Sequence, residues 1–528
     1  MCGIAGIYNK NGLSPERSAI EKMSRAIAHR GPDEEGYHVD RQVHLASRRL
    51  SIIDLHTGGQ PVYTRDRARC IVYNGEIYNF KALRSELAAL GHVFQTSSDT
   101  EVILHAYSQW GEECLSRLSG MFALCIWDAQ AQELFLARDR FGIKPLYIAE
   151  LSDGTLLFGS EIKALLQYPS IKKELYPNAI DNLLTYGFNL APHTFFEGIK
   201  QVLPGHCMKI TGRGMKTTQY WDIDVESPVL TAPGDELSRM FRDQFTRTVK
   251  QSLAADVPVA AYLSGGIDSS AVAGVYAKLS DEKITTITIT FDNADYDESA
   301  YSKKVSRFFG TKNIEFKCAI QPEDIKNLIY YLENPLMSLL NLPLFLLSKK
   351  TRAKGLKVVL SGDGADEVIG GYDYFKLLKA VQFIERTGGG FRKNILRRVY
   401  PHLASAHDAE LQYIQLFSAG SMFPVLNPAM PYRFQEFQNK AELYSPDFAR
   451  LLENTAMDSP FFFNPEKIAH RPLIDQALYM DIKMRLLNLT LPLSDKMSMA
   501  NSVEVRPLFL DHELVNFCFR IHHHYKIQ

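Results

Sequence analysis

The sequence predicts a two-domain chain of α/β and α+β character, with a doubly wound parallel sheet in its second half. Three observations carry this. An apolar run at residues 257–263 feeds a loop of Ser and Gly and then a helix-like stretch at 271–276. A run rich in β-branched residues at 284–291 and a buried-strand run at 356–360 alternate with helix-like spacing at 298–309 and 325–332, the pattern of parallel strands joined by crossover helices. A polar stretch with two prolines, residues 222–235, separates this half from the first, as a linker does. The divisions that follow are 2–221, a linker at 222–235, and 236–528.

Composition sets outer bounds. The chain is 46% hydrophobic with a formal net charge of −1, so it can bury sizeable cores but lacks the basic excess that favours nucleic acid. No apolar run is long enough to span a membrane, and no basic segment precedes an apolar one as in a secretion signal. The seven cysteines form no C-x-x-C pair, which argues against a zinc site or disulfide framework and suits a reducing cytoplasm. His522-His523-His524 reads as part of a helix end.

Taken in order, the chain begins Met1-Cys2-Gly3-Ile4. Removal of Met1 leaves Cys2 with a free α-amine whose pKa is about 8, beside a thiol near about 8.5. The amine can serve as general base for the thiol of the same residue. Arg30-Gly31-Pro32-Asp33 reads as a rigid turn. Arg48-Arg49-Leu50-Ser51-Ile52-Ile53-Asp54 places an arginine at the mouth of a β-type run. Val72-Tyr73-Asn74-Gly75-Glu76-Ile77-Tyr78-Asn79 reads as a strand broken by Asn-Gly. Ser98-Asp99-Thr100-Glu101 reads as a helix cap.

Together these motifs resemble the class II glutamine amidotransferases, and the segments at 120–123, 139–147 and 159–165 continue the likeness. The resemblance implies an N-terminal nucleophile hydrolase fold, an αββα sandwich, that hydrolyses glutamine. It makes Cys2 the nucleophile and gives the oxyanion hole to the Asn74 side chain and the Gly75 N–H. Arg49 would hold the carboxylate of glutamine, and Leu50, Ser51, Ile52 and Ile53 would also contact that substrate. Glu76 and Asp99 would receive its α-ammonium. Arg30 and Asp33 are expected to order their loop rather than to catalyse.

The second half opens with helix-like spacing of Leu237, Met240, Phe241, Phe245 and Val249. The loop Ser264-Gly265-Gly266-Ile267-Asp268-Ser269-Ser270 then joins a strand to a helix N-terminus, where free N–H groups and the helix dipole favour an anion. Its serines add hydroxyl donors, and Asp268 is a hard oxygen ligand suited to Mg²⁺. No lysine occupies the Walker position. A second acidic loop, Ser361-Gly362-Asp363-Gly364-Ala365-Asp366-Glu367, follows the strand at 356–360, so Asp268 and Asp366 could share a metal with phosphates. The segment 375–444 is taken as helical packing, and 336–340 and 461–463 as core or interface.

The pattern S-G-G-I-D-S-S resembles the pyrophosphate loop of ATP pyrophosphatases. With S-G-D-G-A-D-E-V-I-G-G-Y and the stretch 495–512, this half resembles the synthetase domain of asparagine synthases. The resemblance puts ATP contacts on Leu263, Ile289, Ser361 and Gly362, and an acidic role in acyl-adenylate formation on Asp363. It implies a relay: ammonia from glutamine crosses an enclosed passage to β-aspartyl-AMP, giving asparagine, glutamate, AMP and pyrophosphate. The partners are glutamine, aspartate and ATP with Mg²⁺, and a homodimer is left open. An amidotransferase acting on a natural-product or polysaccharide carboxylate is the rival. A catalytically dead scaffold is opposed by the intact Cys2, Arg49, Asn74, Asp99, Asp268 and Asp366. The end at Gln528, without a cap or stop signal, is expected to be a C-terminal truncation.

Overall fold

The computed structural model describes residues 2–335, 339–372, 375, 378, 440–455 and 461–527. Met1, residues 336–338, most of the segment 375–444, and Gln528 lie outside them, with the readings made there.

The first half contains twelve strands. In chain order these are β1 (Cys2–Asn9), β2 (Glu34–Val39), β3 (Val43–Arg49), β4 (Val62–Tyr63), β5 (Arg69–Ile77) and β6 (Gly120–Asp128). There follow β7 (Glu133–Arg138), β8 (Tyr147–Glu150), β9 (Thr155–Gly159), β10 (Ile199–Gln201), β11 (His206–Thr211) and β12 (Gly214–Gln219). They form two six-stranded sheets, ordered β10-β8-β9-β1-β3-β2 and β12-β11-β7-β6-β5-β4.

The two-residue period of each strand explains the layering. Ile4 and Tyr8 of β1 face the other sheet, where they share a core with Val72, Cys125, Trp127 and Leu136. Ala5 and Ile7 point the opposite way, onto Ala19, Ile20 and Met23 of helix α1 (Arg17–Ala26). On the far side, Phe122, Leu124 and Ile126 of β6 pack against helices α2 (Phe80–Ala89) and α3 (Asp99–Trp110). The result is the expected αββα sandwich.

The second half is built on β13 (Val259–Tyr262), β14 (Thr285–Thr290), β15 (Lys312–Lys317), β16 (Val358–Ser361) and β17 (Glu504–Pro507). Their order is β15-β14-β13-β16-β17, and every pairing is parallel. Strand order therefore reverses between β13 and β16, and a doubly wound sheet opens a crevice at the carboxyl ends of those two strands. Residues 222–233 are not a loose spacer. Arg471 donates to the carbonyls of Val225 (2.7 Å) and Ser227 (2.6 Å), and Lys467 and Lys483 both pair with Asp222.

Two local readings are corrected. Asn74-Gly75 does not break its strand: β5 runs through both, paired to Ala123 and Phe122 of β6, and that ladder overrides the turn preference of Asn-Gly. Arg49 does not open a β-run but closes one, since β3 ends there and 50–54 is loop. Among the described residues no helix is long and apolar enough to cross a membrane.

Candidate functional site

Cys2 begins β1, and its β3 partner in register is Arg49. The Cys2 backbone N donates to Asn74 Oδ1 at 3.1 Å, and Gln60 Nε2 lies 3.8 Å from the sulfur. Burial pushes the Cys2 thiol up from its ordinary value, so a base is needed to make the thiolate. Asn74 is fully buried, and its Nδ2 has no hydrogen-bond partner among the described residues. A donor left unpaired beside a thiol could serve an oxyanion developing there. Gly75 follows because a Cβ there would sit 2.2 Å from the Met121 carbonyl oxygen; the close packing of β5 on β6 admits only glycine.

Arg49 is buried, and its guanidinium is oriented by its own loop. Nη2 donates to the carbonyls of Ile53 (3.1 Å) and Asp54 (2.5 Å), and Nη1 to Glu34 Oε1 at 2.8 Å. Leu50, Ser51 and Ile52 are buried and Ile53 partly so, with Ser51 N bonded to Asp33 Oδ2 at 2.9 Å. Asp99 opens α3 and accepts from the Tyr73 hydroxyl (3.0 Å) and Ile77 N (3.1 Å). Burial pushes both Glu76 and Asp99 up, and the charge of Asp99 raises Glu76 further. A buried pair of carboxylates of this kind is stabilised by a cation.

Arg30 does more than order its loop. It is fully buried, and its Nε donates to the Cys2 carbonyl at 3.3 Å. Nη1 meets Glu161 Oε1 at 2.9 Å, and Nη2 meets Asp495 Oδ2, from the second half, at 2.8 Å. Lys163 continues from Glu161 to Glu333, and Lys496 pairs with the same Glu333. A ladder of buried ion pairs thus joins the strand of Cys2 to the second half. Asp33 likewise crosses, to Lys357 Nζ at 2.6 Å.

The second site lies in the crevice after β13 and β16. Ser264, Gly266, Asp268, Ser269, Ser361, Gly362, Asp363 and Asp366 line one open cleft of about 300 Å³. Leu263, Gly265, Ser270 and Ile289 do not form its lining. Gly265 takes φ +100°, a conformation glycine permits, and brings the loop against Ser302 N. Gly266 caps the helix Ile267–Leu279, and its N donates to Ser264 Oγ at 3.2 Å. Ser264 and Ser269 bridge their hydroxyls at 3.0 Å. This Ser- and Gly-lined helix start is fit for an anion.

Asp268 is pushed up to about 6, first by burial and then by Asp366; burial also raises Asp366. Two carboxylates with raised pKa at a phosphate-type loop fit a divalent cation that completes its shell with phosphate and water. No cluster of three His, Cys, Asp or Glu set to hold a metal occurs among the described residues. Asp363 accepts from the Ser494 hydroxyl at 2.7 Å. Residues that sequence reasoning missed also line the cleft: Tyr262, Glu367, Tyr372 and Thr490. Glu367 follows Asp366 directly, so adjacency was the available signal; Thr490 carried none. Gln60 at the first site was equally silent.

An N-terminal cysteine on an αββα sandwich, joined to a doubly wound sheet with a Gly-rich helix start, defines a class: a glutamine amidotransferase half fused to a ligase half. A family model described as Glutamine amidotransferase domain matches residues 1–221, and one described as Asparagine synthase matches residues 240–528. The chain is 34% identical over 522 residues to asparagine synthetase [glutamine-hydrolyzing] 1 of Bacillus subtilis, covering 97% of this chain and 79% of that one. It is 31% identical to asparagine synthetase [glutamine-hydrolyzing] 3 of the same organism, over 99% of this chain and 81% of that one. A solved glutamine phosphoribosylpyrophosphate amidotransferase from B. subtilis aligns with a TM-score of 0.32 and 17% identity, over 60% of this chain and 81% of that one. The chain belongs to the family of glutamine-hydrolysing asparagine synthetases.

Proposed function

We propose that the chain hydrolyses glutamine at Cys2 and uses the ammonia to amidate aspartate, with ATP cleaved to AMP and pyrophosphate. The observation that carries the first reaction is the unpaired Asn74 Nδ2 beside Cys2. The Cys2 amine takes the thiol proton, and the sulfur attacks the side-chain amide carbon of glutamine. Negative charge on the amide oxygen is met by Asn74 Nδ2 and the Gly75 N–H. The C–N bond breaks, ammonia leaves with the proton, and water hydrolyses the thioester to glutamate. Arg49 holds the substrate carboxylate through paired hydrogen bonds, and Glu76 and Asp99 receive the ammonium.

In the second half, Ser264, Gly266 and Ser269 hold phosphate oxygens while the aspartate β-carboxylate attacks the α-phosphorus of ATP. Asp268 and Asp366 would hold Mg²⁺, which neutralises phosphate charge. Asp363 stands at the acyl-adenylate. Ammonia displaces AMP to give asparagine. Between the halves lies a small cavity of about 20 Å³, about the room one water-sized molecule needs, walled by Tyr78, Met121 and Ile143 on one side and Ser252, Pro507 and Leu508 on the other. It supports an enclosed passage, which keeps ammonia from protonation in bulk water. The domain reading is the one the sequence suggested: 2–221 for the glutaminase, 222–235 as connection, and 236–528 for the ligase.

The test is a screen of the purified protein with glutamine and ATP against aspartate and other carboxylic acids. Aspartate should be amidated fastest, with AMP and pyrophosphate formed in equal amounts. Preference for a uronic acid or a natural-product acid would replace the acceptor, and ADP with phosphate would overturn the adenylate route.

A further inference from the structure

Arg506 lies on β17, in the sheet of the second half, yet its guanidinium reaches into the glutaminase site. The side chain is fully buried. Nε donates to Glu504 Oε1 at 2.6 Å, and Nη1 to the carbonyl oxygens of Ser252 (2.6 Å) and Ala254 (2.8 Å). Nη2 donates to Glu76 Oε2 at 3.0 Å. The other carboxylate oxygen, Glu76 Oε1, is buried with no hydrogen-bond partner among the described residues.

Three carboxylates, of Glu76, Asp99 and Glu504, interact electrostatically in this buried region, and Arg506 bonds directly to two of them. A planar fork anchored by two backbone carbonyls and one carboxylate cannot swing, so it holds Glu76 at a set angle. One oxygen is taken and the other is left presented. We infer that Arg506 is a positioning residue for glutamine: a guanidinium of the ligase half fixes Glu76 so that Oε1 meets the substrate's α-ammonium. The inference rests on the reading that Glu76 receives that ammonium. It makes the affinity of the glutaminase for its substrate depend on a residue outside the glutaminase half.

The experiment compares glutamine with 4-carbamoylbutanoate, which is glutamine without its amino group. Arg506→Lys keeps the charge and loses the fork. The KM for glutamine should rise about tenfold or more with kcat changed less than about threefold, and kcat/KM for the deamino analogue should stay near the parent's. The preference for glutamine over the analogue then falls about tenfold. A general loss of packing would slow both substrates alike, and an unchanged preference overturns the inference. Glu76→Gln, run in parallel, separates the two levels. If it leaves the preference intact, Glu76 does not receive the ammonium and the underlying reading fails. If it lowers the preference while Arg506→Lys does not, the inference alone fails. Thermal unfolding checks that each variant is folded, and Arg506→Gln, a neutral donor in the same place, carries the same comparison should the lysine variant not fold.

Discussion

Replacing Asn74 by Ala tests the oxyanion site directly. The side chain is fully buried, its Oδ1 is occupied by the Cys2 backbone N at 3.1 Å, and its Nδ2 is unpaired. The Cys2 bond therefore sets the orientation of the amide, and the free donor faces no competing acceptor that must be displaced. Losing one preorganised donor of this kind costs about 2.7–4 kcal/mol of transition-state stabilisation, or about 10²–10³ in kcat. The ground-state amide gains little from the same donor, so KM should move by less than about threefold. Glutamate release under saturating glutamine measures kcat, and a thermal melt shows that the sandwich persists. Ammonium-supported amidation should be unaffected, because that chemistry lies in the other half. A loss under about tenfold in kcat, or one confined to KM, would refute the assignment of Nδ2 to the oxyanion.

Other expectations follow from the same geometry. Arg49→Lys loses the fork that the Ile53 and Asp54 carbonyls orient, and steady-state kinetics should show KM for glutamine rising about tenfold or more. Asp268→Asn should abolish ATP-dependent pyrophosphate release, read by a coupled phosphate assay, while glutamine hydrolysis stays near the parent's. Burial alone pushes the Glu101 carboxyl up, but His105 and the N–H groups of Gln95 and Thr96 bring it down to about 2. The folded value lies below the unfolded one, so this stability is present above about pH 4.5 and is lost as pH falls toward about 2. Glu101→Gln should lower stability by about 1–3 kcal/mol at pH 7 in a denaturant melt and flatten the acid limb.

Much of both candidate sites is legible in the sequence because their signals are local. The strand, Gly-rich loop and helix start at Ser264–Ser270 lie consecutively, and Cys2 is marked by its place at the chain start. What escaped depends on partners far away in sequence. Asn74-Gly75 reads as a turn in isolation and becomes strand interior only through β6, whose Ala123 and Phe122 pair with it. The edge strands β15 and β17 were not anticipated. Lys312–Lys317 alternates polar and apolar residues, and Glu504–Pro507 carries two charged side chains and a proline, so neither looks like the β-branched runs at the sheet centre. Arg506 and Gln60 offered no local cue, since each acts on a site built by other segments. The buried pairs of Arg30 with Asp495 and of Lys163 with Glu333 are invisible for the same reason: their partners lie across the domain boundary.

The relay from one half to the other is tested most directly by Cys2→Ala, assayed for asparagine formation with glutamine and, separately, with an ammonium salt as nitrogen donor. Glutamine-dependent formation should fall to background while ammonium-dependent formation stays at the parent's rate. Glutamine-dependent synthesis persisting near the parent's rate would contradict the assignment of Cys2 as the source of ammonia.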